Sequence, residues 1–348
     1  MSETDVLEDG AVAETVLDRK KGRDSSLPPS CFACSAEVVG PFCYNCGQKN
    51  DDCRRNILSL AGETLTGVFS IDSKFFRTLG TMLTKPGRYV REYGDGKRSV
   101  FTPPIRFFLV ISFVFFSIMA LTDTYFLTLK PRLAEANEET GQVAAMFELQ
   151  SGEVQTVTFD FLFLAKASEA EYTEEEAAAF KQFVSERVLY DIDETDEEDV
   201  LAAQEFSSVA DRINQVALNP RPFNTALNSW LPRLMFIMAP LMAFLGLFFV
   251  RGKDALVYDH LILSLNVHAF MFLALIAAVF AASLVPGGVA TSIFLVTLFV
   301  YYLLALKGAF SRGWIKSFFA TLFVFFFYSL FMFSSLLIVS IIAIRDST

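Results

Sequence analysis

Four cysteines fall in a spacing that suits a metal ion. They read Cys31-Phe-Ala-Cys34 and, eight residues on, Cys43-Tyr-Asn-Cys46, with Gly47 directly after. Two CxxC turns of this kind can set four thiolates at tetrahedral corners about 2.3 Å from one Zn2+. Gly47 allows the tight turn in which backbone amides point at the sulfurs. A module of about twenty residues buries too little to fold unaided, so metal would supply its folding energy. Four protein ligands leave no open position, which points to one structural Zn2+ rather than a catalytic one. Two disulfides are the competing reading, and an iron–sulfur centre is a third; a reducing compartment would disfavour the disulfides. Cys53, seven residues past Cys46, reads as a bystander.

Two histidines are a second candidate. His260 and His268 lie eight apart with Ser264 midway, so all three share one helix face. The rings are about 12 Å apart along the axis, too far for one shared ion. Ionisable groups inside a membrane are functional candidates by default. A polar stripe along a cavity or proton path is the sharper reading, and interhelical hydrogen bonding that fixes a bundle is the plainer one.

The third candidate is basic. Lys85, Arg88, Arg91, Lys97, Arg98 and Arg106 crowd one short stretch, where they could meet anionic lipid or a partner protein. The plainer alternative is a positive flank that only fixes topology. Residues 54–106 hold ten basic side chains against four acidic ones, whereas 128–230 hold seven against twenty-one. This opposition is a topology signal, and it makes nucleic acid an improbable partner.

The elements that must position these groups are membrane spans. Crossing about 30 Å of hydrocarbon takes roughly 20 apolar residues. Five stretches qualify: 105–127, 231–250, 261–284, 289–306 and 318–344. Phe107, Phe108, Val110, Ile111 and Phe115 fill the first, and Pro240 should kink the second. The fold class expected is a polytopic, mainly helical membrane protein. The basic run before the first span should stay in the cytoplasm. Alternation then puts Arg251, Lys253, Lys307, Arg312 and Lys316 inside as well, and the uncharged Pro286-Gly287-Gly288 turn outside. The expected layout is N-terminus in and C-terminus out. Residues 1–30, polar and with no apolar stretch, read as a disordered tail. Residues 31–50 form the cysteine module, and 54–104 form an amphipathic, basic juxtamembrane segment. That segment either lies in the membrane interface or packs on the bundle.

The insert 128–230 is expected outside. Thr173-Glu-Glu-Glu176 and Thr195-Asp-Glu-Glu198 match capping boxes and open helices over about 174–190 and 196–217. Phe159, Phe161 and Phe163 alternate within 154–165, which suits a strand. Asp123 reads as interfacial.

Several of these motifs recur together elsewhere. Cys43-Tyr-Asn-Cys46-Gly47-Gln48, then Thr78 to Gly87 ending in Lys-Pro-Gly, then Gly96-Lys97-Arg98 and Pro104-Ile-Arg106, resemble an uncharacterised family of bacterial membrane proteins. The resemblance covers about residues 31–120. It implies a zinc-ribbon-like module and a bacterial inner membrane, and it implies no activity. There is no phosphate loop, no HExxH, no nucleophile elbow and no kinase signature, so an enzyme is disfavoured. Two functions stay open. One is a non-enzymatic adaptor, assembly or envelope-sensing protein whose ribbon meets a cytoplasmic partner. The other is a transporter or channel built around Ser264 and His268.

Overall fold

A computed structural model describes residues 30–49, 72–134, 144–148, 154–186, 215–252, 255–281 and 287–346. Cys53, residues 54–71 of the juxtamembrane segment, the capping box at Thr195, Lys253 and Pro286 lie outside these. The fold is mainly helical, with five helices long and apolar enough to cross a membrane.

Helix α1 spans Ser73–Thr84 and α2 spans Arg88–Gly94. Asp72 caps α1, its carboxylate accepting from the amides of Lys74 and Phe75 at 3.1 Å each. The two helices pack on the bundle rather than lie free. Phe75, Thr78, Met82, Tyr89 and Tyr93 are buried, and the Phe75 and Phe107 rings meet at 5.2 Å. Gly87 makes the elbow between them with φ +82°, a left-handed conformation that glycine adopts without penalty.

Helix α3, Pro104–Leu121, opens on proline at its first position, where no amide is needed. It ends six residues short of the expected span. Asp123 turns left-handed at φ +48°, and strand β1, Thr124–Leu133, begins at once. β1 joins β2, Ala144–Glu148, and β3, Val154–Lys166, in an antiparallel sheet of order β1-β3-β2. Helix α4, Glu174–Glu186, opens on a closed capping box: the Thr173 amide donates to Glu176 at 2.8 Å, and the Glu176 amide donates to Thr173 Oγ1 at 3.2 Å.

Helix α5 runs Pro220–Phe249, so the second span is carried by a helix that starts well before Leu231. Its first turns do a separate job. β1 is an edge strand, and an edge strand carries unpaired backbone groups. Asn224 Oδ1 accepts from the Leu129 amide (2.8 Å), and its Nδ2 donates to the Leu129 carbonyl (3.0 Å). Asn228, one turn on, does the same at Phe126 (2.9 Å) and Leu127 (2.7 Å). Two side-chain amides thus pair the strand with the helix.

Helices α6 (Val257–Ala281), α7 (Gly287–Phe310) and α8 (Trp314–Asp346) complete the bundle. α6 is central: 56% of its most apolar stretch is buried against protein, compared with 11% for α8, which leaves α8 for lipid. The two ends of the bundle differ. At one end Arg312 donates to the Arg251 carbonyl (3.2 Å), Arg91 donates to the Gly308 and Ala309 carbonyls, and Arg98 lies over the Tyr258 ring. Arg91, Arg98, Arg251 and Arg312 therefore gather there. The sheet, the start of α5 and the end of α8 occupy the other end, where Phe223, Leu227, Val339 and Ala343 pack together beside Leu127 and Leu129.

Candidate functional site

The cysteine module is built from two matching turns. In the first, the Cys31 amide donates to the Ala36 carbonyl at 2.8 Å and Ser35 is left-handed at φ +61°. In the second, the Cys43 amide donates to the Gln48 carbonyl at 2.7 Å and Gly47 is left-handed at φ +71°. The glycine thus has the role its position suggests, and Ser35 takes the equivalent place without one. Antiparallel bridges Ser30–Glu37 and Phe42–Lys49 close each turn.

The four sulfurs meet. Cys31 and Cys46 Sγ are 3.5 Å apart, as are Cys34 and Cys43, and all four fall within 4.8 Å of one another. A disulfide needs about 2.05 Å, so these are free thiols. Four ligands at about 2.3 Å from a tetrahedral centre would sit about 3.8 Å apart, inside the observed range. The set can hold a metal ion. The thiols differ in acidity. The Ala36 backbone, with help from Asn45 and the neighbouring thiols, holds Cys34 down to about 6, while lost hydration pushes Cys46 up to about 11. Metal binding would have to displace the proton from the second.

The module docks on the bundle. Gln48 uses both ends of its side chain on the loop after α2: Nε2 donates to the Gly96 carbonyl, and Oε1 accepts from the Ser99 amide at 3.1 Å. Ser99 Oγ reaches Cys46 Sγ at 3.9 Å. The same loop is held to the bundle by the Tyr89 hydroxyl, which donates to Thr102 at 2.7 Å, and by the Thr102 amide, which donates to Thr78 at 2.9 Å. A chain of bonds runs from the sulfurs to α1.

The six basic candidates divide. Lys85, Arg88 and Arg91 line one groove with Lys307 and Trp314. Lys97 instead pairs with Glu92 at 3.6 Å, and Arg98 stacks over Tyr258. Arg106 sits half-buried on the first turn of α3.

The histidine stripe is internal. His260, Ser264 and His268 are each 1% exposed, so none lines open solvent. A carbonyl only accepts, which fixes the tautomers. His268 Nδ1 donates to the Ser264 carbonyl at 2.8 Å, leaving Nε2 to accept from the Tyr328 hydroxyl at 3.0 Å. His260 Nε2 donates to the Val250 carbonyl at 2.9 Å under the Phe310 ring. Gly246 lets α5 close onto His260. Ser264 donates to the Ala239 carbonyl, and Asn266 donates to Tyr301 at 2.9 Å. These bonds tie α6 to α5, α7 and α8.

Tyr328, Tyr301 and Gln48 are the partners that sequence reading misses, because their roles depend on contacts across 35 residues or more. Lys307 is read there only as a loop charge.

Residues 72–116 match a family described as protein of unknown function (DUF3667). The match takes in α1, α2 and most of α3. It fits, over that segment, an uncharacterised membrane-protein family; the cysteine module and the other four spanning helices lie outside it. No curated protein and no solved structure matches the chain.

Proposed function

We propose that this is a non-enzymatic adaptor, assembly or envelope-sensing protein of a bacterial inner membrane, with its ribbon on the cytoplasmic face holding one structural Zn2+. The observation that carries the reading is the docked ribbon. Gln48 fixes it to the bundle, and its outer surface keeps Phe32, Val39, Phe42 and Tyr44 exposed among the described residues. Large apolar side chains on a rigid module are what a protein partner would cover. Zinc is supported by the four-sulfur donor set, whose sulfurs all lie within 4.8 Å of one another. Cytoplasmic placement is supported by the gathering of short-loop cations at the ribbon's end of the bundle.

The test is Cys34→Ser in the full chain. One zinc per chain should fall to none by elemental analysis, and partners recovered by pull-down should be lost, while the helices still insert. Identical partners with and without the ribbon would sink the adaptor reading. Transport along Ser264 and His268 is the alternative. It has less support, because both ring nitrogens of His268 are held by protein groups. Its signature would be pH-dependent flux in liposomes that His268→Ala abolishes.

A further inference from the structure

We propose that the groove between α2 and the α7–α8 junction binds the phosphate of an anionic membrane lipid. The groove encloses about 510 Å³, within the range of small-ligand sites. Four cations line it: Lys85, Arg88, Arg91 and Lys307. The one carboxylate lining it among the described residues is Glu92, which is engaged by Arg88 at 2.7 Å and by Lys97 at 3.6 Å. Four positive charges less one negative leave an excess of three.

The cations are not equivalent. Arg91 is committed to the Gly308 and Ala309 carbonyls at the end of α7, so it braces the wall. Arg88 is held by Glu92. Lys85 and Lys307 pair with no carboxylate among the described residues, and Lys307 lies 4.5 Å from the centre of the Trp314 ring. These two ammonium groups are available to a ligand's oxygens.

Position favours a lipid over a soluble anion. Lys307 is in the last turn of one apolar helix and Trp314 opens the next. Lysine and tryptophan are the residues that settle at the headgroup level. Leu304, one turn deeper on α7, also lines the groove and is exposed, offering an apolar path from the cations into the hydrocarbon. Basic pockets at this depth suit anionic headgroups. The site is nonlocal: Arg91 and Gly308 are 217 residues apart, and only the close crossing of the Gly87 elbow over α7 brings the two walls together.

The chain has two tryptophans, so Trp230→Phe leaves Trp314 as the sole reporter. This full-length variant is placed in phosphatidylcholine vesicles containing brominated phosphatidylglycerol or, in parallel, brominated phosphatidylcholine. Trp314 should be quenched at a lower fraction of the anionic quencher. Lys85→Gln or Lys307→Gln should each raise the half-quenching fraction on the order of fivefold relative to the neutral quencher. Lys316→Gln, a nearby cation outside the groove, should leave it unchanged. Equal quenching by the two lipids overturns the proposal. So does an equal shift from Lys316→Gln, which would show diffuse attraction. Relief of quenching by millimolar inorganic phosphate at constant ionic strength would make the ligand a soluble phosphate and also overturn it.

Discussion

The elbow at Gly87 permits a prediction in which one substitution has opposite signs at neighbouring sites. A Cβ at Gly87 would run into backbone atoms of Ala305, Gly308 and Ala309, and φ there is +82°. A left-handed alanine costs about 1–2 kcal/mol. Overpacking against backbone, which cannot rotate away, adds about 1–3 kcal/mol. Gly87→Ala should therefore destabilise by about 2–5 kcal/mol. Gly308 faces the Pro86 carbonyl across the same crossing, in ordinary helical backbone. Gly308→Ala should carry only the packing cost, about 1–3 kcal/mol. Gly80 is exposed in the middle of α1 with nothing within 4 Å of an added Cβ. Gly80→Ala should stabilise by about 0.5–1 kcal/mol, because alanine surrenders less backbone freedom than glycine. Equilibrium unfolding in mild detergent, read by tryptophan emission, gives the three values. The reasoning is refuted if Gly87→Ala is as stable as the parent, or if Gly87→Ala and Gly80→Ala shift in the same direction.

Two further outcomes follow from the other end of the bundle. Asn224 is fully buried, so Asn224→Leu strands both the amide and the carbonyl of Leu129; about 1–3 kcal/mol for each group should appear as faster hydrogen exchange along β1, whereas half-buried Asn228 admits water and Asn228→Ala should loosen the strand less. Burial pushes the Glu176 carboxyl up, but the Thr173 amide and Lys130 more than offset this and leave it below the ordinary value of 4.5. A depressed carboxylate contributes stability above the unfolded value and loses it as pH falls through the folded one. Acidification below 4.5 should thus release α4 from β1 (followed by amide exchange near Thr173), and Lys130→Gln should move that release to higher pH.

Much of the architecture was legible from local pattern. Apolar runs of span length, proline before Ile105 and the Thr173–Glu176 box each act within a few residues, so the elements they specify can be read without knowing their neighbours. The cysteines are a similar case, since each CxxC turn is closed by its own backbone bonds. The end of the first span was not legible. Residues 124–127 suit either a helix end or a strand, and pairing with β3 and α5 decides for strand. Nor was the juxtamembrane choice: α1 and α2 are amphipathic enough for lipid, and their burial against α6 and α7 depends on glycines on two distant elements.

The sequence by itself determined the class of this protein, the four thiols that could hold a metal ion and the charge asymmetry of its loops, because composition and short spacing are local properties. Tertiary structure decided what those groups do together. It tied His260, Ser264 and His268 each to a neighbouring helix through one polar atom, fixed the ribbon to the bundle through Gln48, and separated five of the six similar cations into groove, ion pair and ring contact. Each of these outcomes depends on which surfaces meet when the chain folds, and residues hundreds of positions apart along the sequence carry no local signal of meeting.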